Sequence, residues 1–389
     1  MNLPTSAPIL VETPSGLQRL AEVLAREPQL AVDTEANSLH AYHERVCLIQ
    51  FSTPEADYLV DPLALDDLTY LGPIFSNPKI EKIFHAAEYD VLGLQRDFYF
   101  TFANLFDTML AARILGYKQV GLGSLLAEKF QIEVDKHNQK ADWGQRPLTA
   151  GLVDYARLDT HYLIALRNLL ESELREKGRW ELAREDFTRA CFVNTSVNPR
   201  AARGRWERVD GRQDLNPRQQ TILNELCLAR EKIAERLNRP VFKVLDDRLL
   251  LKVADAAPKT LDELTRLGMS ERQLHRFGKS MLEAVERGQR APLIQATELE
   301  KVSEAVLNRL NRLKSWRKGK AEALGVESDV ILPRYYMLTL AERNPRSPEA
   351  LSKIMEESPW RLEHFGPEIL KALGVKQNLP EVQAESTSG

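Results

Sequence analysis

The sequence predicts an α/β domain with a mixed β-sheet and covering helices, followed by two small all-α domains. Short apolar runs of strand length dominate residues 30–85, and helical spacing dominates from residue 107 onward. Such strands and helices pack as a sheet with helices against it, with ligands at the strand ends. Beyond residue 213 the pattern is helical and occurs twice. The chain of 389 residues is long enough for three domains.

The composition is that of an ordinary globular protein, with 43% hydrophobic and 28% charged residues. No apolar run approaches the ~18 residues that a membrane span requires, and the first residues lack the pattern of a secretory signal. Three widely spaced cysteines, without a Cys-x-x-Cys pattern, suit a reducing compartment. We therefore expect a cytoplasmic protein that has no contact with a membrane.

Charge is distributed unevenly, although the net charge is only −3. Residues 1–200 contain 20 basic and 28 acidic side chains, whereas residues 201–389 contain 33 basic and 28 acidic ones. An acidic half that holds cations and a basic half that holds phosphates fit a nuclease with separate binding modules. Ordinary compositional drift gives the same asymmetry, so the motifs must decide the function.

Hydrophobic periodicity divides the first domain into predicted elements. A helix over residues 11–27 ends at Pro28. Four predicted strands follow, over residues 30–35, 46–52, 58–60 and 82–85. The first three form a β-meander, and a turn region at 74–77 precedes the fourth. The remainder is mainly helical, with predicted helices over residues 108–115, 122–130 and 152–174.

The first predicted strand ends in the sequence Asp33-Thr34-Glu35. Side chains alternate along a strand, so Asp33 and Glu35 project from the same face, about 7 Å apart along the strand axis. Two such carboxylates raise each other's pKa unless a positive charge lies between them. Hard divalent cations such as Mg²⁺ and Mn²⁺ suit carboxylate oxygens, although Asp-Thr-Glu can also open a polar loop.

Two later segments favour the metal site. A segment with helical spacing after His85 contains Asp90, and the predicted helix over residues 152–174 carries Tyr155 and Asp159 on one face. The order Asp-x-Glu, helical Asp, Tyr-x-x-x-Asp resembles the DEDD 3′–5′ exonucleases of the tyrosine subclass. A resemblance to the ribonuclease D family in particular extends over residues 33–39, 46–50 and 142–148. This resemblance implies a ribonuclease-H-like fold for the α/β domain.

The resemblance also implies a catalytic site that holds two divalent cations, Mg²⁺ or Mn²⁺. Asp33 would bridge both cations, and Glu35 and Asp159 would bind the one beside the attacking water. Asp90 would support the other cation through water. Tyr155 would orient the attacking water and help to deprotonate it. Two cations ~3.5–4 Å apart stabilise charge on the attacking and leaving oxygens of a phosphodiester.

Other polar residues near these motifs have weaker signals. The segment that the family uses near its substrate contains four predicted substrate contacts, Lys136, Gln139, Lys140 and Arg146. Asp154 lies five residues before Asp159 and therefore points elsewhere on the helix. Asp107 is predicted to be a helix N-cap rather than a ligand. His85 and His161 are interpreted as structural histidines.

The C-terminal half contains a repeat. Phe277-Gly278 recurs 88 residues later as Phe365-Gly366, and an apolar helix follows each pair. Each copy begins with a long predicted helix, over residues 217–237 and 298–324, and both copies resemble the HRDC domain. The predicted organisation is an exonuclease domain over 1–195, a linker over 196–212, HRDC-like domains over 213–294 and 295–378, and a disordered tail over 379–389.

The first helix of the second HRDC-like copy is rich in cations. Arg312, Arg317 and Lys318 lie close to Trp316 in the sequence. An aromatic ring among cations can hold a single strand through base stacking and phosphate contacts. The three cations are candidate RNA contacts, with a solvated helix face as the alternative, and Trp316 is predicted to turn into the core.

The resemblance implies a metal-dependent 3′–5′ exoribonuclease that releases nucleoside 5′-monophosphates and processes structured RNA, tRNA precursors above all. A 3′–5′ exonuclease acting on DNA is an alternative, because the same carboxylates serve both substrates. A non-catalytic RNA-binding scaffold is an alternative of another class, which the presence of all five site residues disfavours. The sequence has no Gly-x-x-x-x-Gly-Lys-Ser/Thr motif, which argues against an ATP-driven helicase.

Overall fold

The computed structural model describes residues 6–135, 137–192, 205–294 and 303–375. The N-terminal part contains six strands, β1 (Ile9–Val11), β2 (Gln29–Ala36), β3 (Val46–Ser52), β4 (Asp57–Val60), β5 (Glu81–Phe84) and β6 (Leu105–Asp107). It also contains eight α-helices, α1 (Pro14–Leu24), α2 (Gly72–Ser76), α3 (Glu88–Phe98), α4 (Thr108–Leu115), α5 (Leu122–Phe130), α6 (Ala150–His161), α7 (Leu163–Glu176) and α8 (Trp180–Ala190). The strands form one mixed sheet, as predicted, in the order β1-β4-β3-β2-β5-β6.

Strand β2 lies at the centre of this sheet. Together with β3 and β4 it forms the predicted antiparallel meander, whereas β5 pairs with it in parallel. The pairing with β5 ends at Ala31, but β2 continues alongside β3 as far as Ala36. The last residues of β2 therefore have a neighbouring strand on one side only, which leaves room for side chains from helices on the other side.

The two faces of β2 enter different cores. Leu30 and Val32 pack in a cluster with α1 and α3, whereas Ala31 packs with residues of α4, α7 and α8 on the opposite face. Because side chains alternate along a strand, Asp33 and Glu35 continue the face of Ala31, and Thr34 continues the face of Val32. The fold thus separates the two acidic side chains of β2 from the threonine between them.

Three sequence predictions differ from the structure. Strands β1 and β6, of three residues each, were not predicted, because three residues are too few to show alternation. Residues 74–77, predicted to be a turn region, lie in and beside the short helix α2. The helix predicted over residues 152–174 is divided at the buried Tyr162, whose φ of −99° and ψ of −3° depart from regular helical values.

The C-terminal part consists of two helical domains, in agreement with the prediction. The first helical domain contains α9 (Pro217–Arg236), α10 (Val241–Val244), α11 (Asp247–Ala256), α12 (Leu261–Arg266), α13 (Glu271–Gln273) and α14 (Lys279–Arg290). The second contains α15 (Glu304–Leu324), α16 (Ser328–Ile331), α17 (Arg334–Arg343), α18 (Pro348–Ser352) and α19 (Pro359–Ala372). Among the described residues, no helix is both long and apolar enough to cross a membrane.

Both helical domains contact the N-terminal part. Tyr42 donates from Oη to Glu231 of the first helical domain over 2.6 Å. The second helical domain packs α19 against α8, and Arg361 reaches Asp186 of α8. The backbones also approach closely, because a Cβ added at Gly116 would lie 2.3 Å from the carbonyl oxygen of Gly325. Each helical domain therefore packs against the N-terminal part rather than being joined to it by a linker alone.

Candidate active site

The end of β2 presents Asp33 and Glu35 on one face of the sheet. Asp33 pairs with Gln50 of β3, and Glu35 pairs with Leu48. The register shifts immediately after Glu35, so that Cys47 has no partner in the ladder. Such a bulge bends a strand and re-aims its side chains, and bulges are common beside active sites. The irregularity lies next to the second acidic side chain of the predicted site.

Asp107 fixes the helix that carries Asp90. Its carboxylate accepts hydrogen bonds from the backbone N–H groups of Ala86 (3.1 Å) and Ala87 (2.8 Å), just before α3 begins. The same carboxylate caps α4 by accepting from Met109 N over 2.8 Å. Asp107 is thus the N-cap that the sequence predicts, and it also connects the starts of two helices. Asp90 lies in the first turn of α3, which Asp107 holds against the sheet.

Thr34 holds the carboxylate of Asp90. Oδ1 of Asp90 accepts from the backbone N–H of Thr34 (3.1 Å) and from its Oγ1 (2.5 Å). These bonds form along the edge of β2 where pairing with β5 has ended. Sequence reasoning missed the contribution of Thr34, although its position between the two acids gave a local signal for it.

Helix α6 is anchored at both ends over the sheet. Thr149 caps its start by accepting from Leu152 N. At its end, Ser52 donates to Asp57 over 2.7 Å, and the hydroxyl groups of Ser52 and Thr160 lie 2.7 Å apart. Nδ1 of His161 lies 2.9 Å from the same Asp57. Burial acts to raise the pKa of Asp57, but its hydrogen bonds from His161 and Ser52 lower it. The contact of His161 with Asp57 therefore agrees with its interpretation as a structural histidine.

The anchored helix brings Asp159 to the acids of β2. Carboxylate oxygens of Asp33, Glu35 and Asp159 all lie within 4.8 Å of one another. Burial, reinforced by repulsion from the other acids, raises the pKa of Asp33 well above its usual range, that of Glu35 to about 9 and that of Asp159 to about 7. Three such carboxylates need protons or a cation to neutralise them, and oxygen ligands suit a hard divalent ion.

Asp90 lies beside this cluster rather than within it. Burial raises its pKa to about 7, while the hydrogen bonds from Thr34 act in the opposite direction. Its charge contributes to the raised pKa of Asp33 and of Asp159, so these carboxylates lie close enough to interact. The arrangement gives three acids that can share one ion directly and a fourth that borders the site.

Tyr155 faces the same acids. Burial raises the pKa of its hydroxyl, and the charges of Asp159, Glu35 and Asp33 raise it further. Its ring packs against the buried Trp143, with the ring centroids 6.0 Å apart. One turn of α6 separates Tyr155 from Asp159, as the spacing predicted. Asp154 on the same helix is exposed, which agrees with its predicted orientation away from the site.

Gln50 is a residue of this region that sequence reasoning did not single out. It is fully buried opposite Asp33, and within the described ranges neither its Oε1 nor its Nε2 has a hydrogen-bond partner. A buried amide without partners is destabilising by about 1–3 kcal/mol, so a polar ligand or water is expected at such a place. A polar residue in the apolar run Val-Cys-Leu-Ile-Gln-Phe was the available signal. The residues present thus fit a hydrated divalent ion.

The structure corrects the predicted phosphate contact of Arg146. All five of its N–H donors are used within the protein, two of them on the carboxylate of Asp61 at 2.5 and 2.8 Å. Three more are donated to carbonyl oxygens, including that of Cys47 at the bulge of β3 (2.6 Å). Arg146 therefore supports the irregular strand beside Glu35 and has no donor left for a phosphate.

The other predicted substrate contacts of this segment have different outcomes. Gln139 and Lys140 are exposed at the end of a short helical turn, His137–Lys140. Asn138 connects this turn to α6 by donating to the carbonyl oxygen of Gly151 over 3.1 Å. Lys136 lies outside the described residues. Contact of Gln139 and Lys140 with the substrate stays a prediction.

The three cations predicted on α15 do not form one surface. At about 100° per residue, spacings of five and six place Arg312, Arg317 and Lys318 on three different sides of the helix. Arg312 donates to the carbonyl oxygen of Leu373 (3.4 Å) and Arg317 to that of Leu332 (2.9 Å). Lys318 is exposed beside a glutamate of its own helix. Contact of these cations with RNA stays a prediction, whereas Trp316 packs against the core of its domain, as predicted.

Comparison with known families agrees with the arrangement of these residues. A family model described as a 3′–5′ exonuclease matches residues 8–175, and a model of the HRDC domain matches residues 219–285 and 306–373. Ribonuclease D of Gluconacetobacter diazotrophicus is 32% identical over 289 residues, which are 73% of this chain and 73% of that protein. The chain belongs to the ribonuclease D family. Its N-terminal domain is thus a 3′–5′ exonuclease domain, in a family of exoribonucleases that use divalent metal ions.

A solved structure of the ribonuclease D family supports the same assignment. Escherichia coli RNase D, described as an exoribonuclease involved in structured RNA processing, matches with a TM-score of 0.68 and 26% identity, over 95% of this chain and 99% of that one. The predicted mixed-sheet domain followed by HRDC-type helical domains is confirmed. Several eukaryotic relatives are longer than this chain. Protein RRP6-like 3 of Arabidopsis thaliana is 45% identical over 46% of this chain, and the match covers 20% of that protein. The match to the exosome complex component 10 homolog of Drosophila melanogaster covers 33% of that protein.

Proposed function

We propose that this chain removes nucleotides from the 3′ end of RNA by metal-dependent hydrolysis and releases nucleoside 5′-monophosphates. The observation that carries the proposal is the convergence of three carboxylates within 4.8 Å, with Asp90 beside them and Tyr155 facing them. Partly buried carboxylates with raised pKa values, grouped without a cation of the protein among them, are typical of a site that binds metal ions.

Each residue has a distinct role in the proposal. A pair of Mg²⁺ or Mn²⁺ ions, when bound, would stabilise the charge that develops on the attacking and leaving oxygens. Asp33, Glu35 and Asp159 would hold the ions directly, and Asp90 would act from beside them, where Thr34 fixes its carboxylate. Tyr155 would orient the attacking water through its hydroxyl, which faces Asp159, Glu35 and Asp33.

The proposed substrates are structured RNA precursors, tRNA precursors above all. Support comes from the ribonuclease D relatives and from the description of the Escherichia coli RNase D structure. The proposed compartment is the cytoplasm, since Cys47, Cys191 and Cys227 are buried free thiols. DNA is the competing substrate, because the acids alone do not distinguish it from RNA.

A direct comparison of RNA with DNA tests the proposal. The full chain is incubated with Mg²⁺ or Mn²⁺ and a 5′-labelled tRNA precursor, or with a DNA strand of matching sequence. We expect stepwise shortening of the RNA from its 3′ end and much slower shortening of the DNA. Faster loss of the DNA would assign the protein to the DNA alternative. Binding without hydrolysis of either strand would support the scaffold alternative instead.

Tyr155→Phe is expected to reduce the single-turnover rate by about 10²-fold, because it removes the hydroxyl that orients the water but leaves all four carboxylates. The ring and its contact with Trp143 are retained, so stability should not change. The measurement is the single-turnover rate as a function of pH, in parent and variant. If both the rate and its pH profile equal those of the parent, Tyr155 is a packing residue.

A further inference from the structure

A cavity in the first helical domain is lined by cations. Its volume is about 250 Å³, and four exposed basic side chains contribute to its wall, those of Arg239, Lys243, Arg272 and Arg276. We call this site the basic cavity. The rest of its wall is apolar or neutral, including Phe277 and Gln273, and none of the lining residues is acidic.

The cations of the basic cavity are not neutralised within the protein. Some arginines of this domain do pair with carboxylates, as Arg230 does with Asp247 at 2.7 Å. In the part of the chain that the structure describes, no ion pair involves Arg239, Arg272 or Arg276. Four like charges around one cavity repel one another, so an anion in the cavity would lower the free energy of the site.

The second helical domain repeats the fold of the first, and the residues that correspond to those of the basic cavity can be identified by sequence offset. Helices α10 and α16 both have four residues and are followed by an extended leucine, Leu245 and Leu332, 87 residues apart. The serines that precede α13 and α19, Ser270 and Ser358, are 88 residues apart. By these two offsets the four cations of the basic cavity correspond, in order, to Val326, Val330, Trp360 and His364.

In the second helical domain that face is apolar and covered by the exonuclease domain. Val330 belongs to the core cluster of α4, α7 and α8, and Val326 and Trp360 pack against it. Gln273 of the basic cavity corresponds to Arg361, which is buried against two carboxylates of α8. A face that docks on protein in this chain therefore carries apolar residues where the first helical domain has cations. The basic cavity does not resemble a protein-docking face.

The basic cavity adjoins the segment that flanks the active site. Nζ of Lys243 lies 3.4 Å from Nδ1 of His40, whose Nε2 lies 3.0 Å from the carbonyl oxygen of Lys140. Lys140 ends the helical turn that is connected to the start of α6, the helix of Tyr155 and Asp159. Phe242, beside Lys243, exposes 54% of its surface and offers a ring on which a base can stack.

We propose that the basic cavity binds phosphate groups of the RNA strand whose 3′ end lies in the active site. This inference rests on the proposed function and extends it, since it gives the first helical domain the role of holding the strand behind the nucleotide that is cleaved. Charge favours RNA over an acidic protein, because exposed cations beside an exposed aromatic ring are the pattern of single-strand binding.

The test is charge reversal at two cations of the cavity, Arg272→Glu with Arg276→Glu. A matched control is Arg248→Glu with Lys252→Glu on α11, two exposed cations that are also four residues apart, outside the cavity and without a carboxylate partner in the described residues. The dissociation constant of the full chain for a single-stranded RNA of ~20 nucleotides is measured with EDTA, over a series of salt concentrations.

The cavity variant should bind the RNA about tenfold more weakly at ~0.1 M salt, with a log K against log[salt] slope flatter by about 1.4, since each lost phosphate contact contributes ~0.7. With Mg²⁺ present, its ratio of kcat/KM for the long RNA to that for a trinucleotide should fall by a similar factor. The control should match the parent in both measurements. Equal affinity and slope in cavity variant and parent, or an equal loss in the control, would overturn the inference. A parent that binds RNA but does not shorten it would instead contradict the proposed function.

Discussion

The Asp33→Asn variant is expected to keep its fold and to lose at least ~10³-fold in kcat/KM for RNA. The substitution is nearly isosteric, but it removes the charge of a carboxylate that lies within 4.8 Å of both Glu35 and Asp159. A bound divalent ion contributes several kcal/mol of charge stabilisation, and ~1.4 kcal/mol corresponds to a factor of ten in rate. The measurement is steady-state hydrolysis of a 5′-labelled RNA with saturating Mg²⁺ or Mn²⁺.

Metal-induced stabilisation gives a second readout that does not need turnover. Burial and mutual repulsion raise the pKa of Asp33, and they raise that of Glu35 to about 9 and that of Asp159 to about 7. The metal-free folded chain therefore holds more protons on these three acids than the unfolded chain does. The contribution of these three acids to its stability should therefore fall as pH rises from ~4 to ~9. Divalent ions replace these protons, so the rise in Tm on adding Mg²⁺ should be larger at pH ~8.5 than at pH ~6. Asp33→Asn should abolish most of that rise.

Asp154→Asn is the matched control for Asp33→Asn. It makes the same chemical change on an exposed acid of α6, five residues before Asp159. This control should retain the activity and the metal-induced rise in Tm of the parent. Turnover by Asp33→Asn at the rate of the control would show that the convergent carboxylates are not the catalytic site.

Elements with local signals at both ends are the ones that the sequence predicts best. The predicted bounds of α4 agree with the structure, because Asp107 caps its start and Gly116, at a φ of 87°, ends it. Strands β1 and β6 have three residues each and form through pairing with β4 and β5. Their existence depends on partners that are distant in the sequence, so local periodicity carries no information about them.

The same distinction separates the predictable from the unpredictable residues of the site. The spacing of two in Asp33-Thr34-Glu35 and of four between Tyr155 and Asp159 fixes a shared face within one element. Arg146 was interpreted as a phosphate contact, but two of its donors are occupied by the carboxylate of Asp61. Asp61 lies 85 residues away in the sequence, so local spacing could not reveal this pairing. Composition shows that a cation is present, but only tertiary structure shows whether a carboxylate already neutralises it.

Arg361→Met is expected to weaken the docking of the second helical domain by about 3–5 kcal/mol. The guanidinium is completely buried and contacts Glu185 and Asp186, the latter through two hydrogen bonds of 2.7 and 3.0 Å. It also donates to the carbonyl oxygen of Val330 over 2.8 Å. Methionine fills a similar volume but removes the cationic partner of the buried Glu185 and one of the two cationic partners of Asp186, and this uncompensated charge is the source of the loss.

Hydrogen exchange locates the effect better than a single melting temperature, because a chain of three packed domains does not unfold in two states. Backbone amides of α8 and α19 should exchange faster in Arg361→Met, whereas those of α9 in the first helical domain should not change. Lys353→Met, a substitution of an exposed cation on the second helical domain, is the control and should leave exchange as in the parent.

Removal of the two acids should then restore most of the docking. When Arg361→Met is combined with Glu185→Gln and Asp186→Asn, no buried charge is left unpaired, and such neutral replacements of a whole ion network are often tolerated. Arg189, which also pairs with Asp186, is a quarter exposed, so part of its guanidinium remains in contact with solvent. Recovery of slow exchange in α19 by the triple variant would show that the single variant fails because of uncompensated charge. Slow exchange in the single variant itself would show that the apolar contacts of Val330 and Trp360 are sufficient to hold the domain.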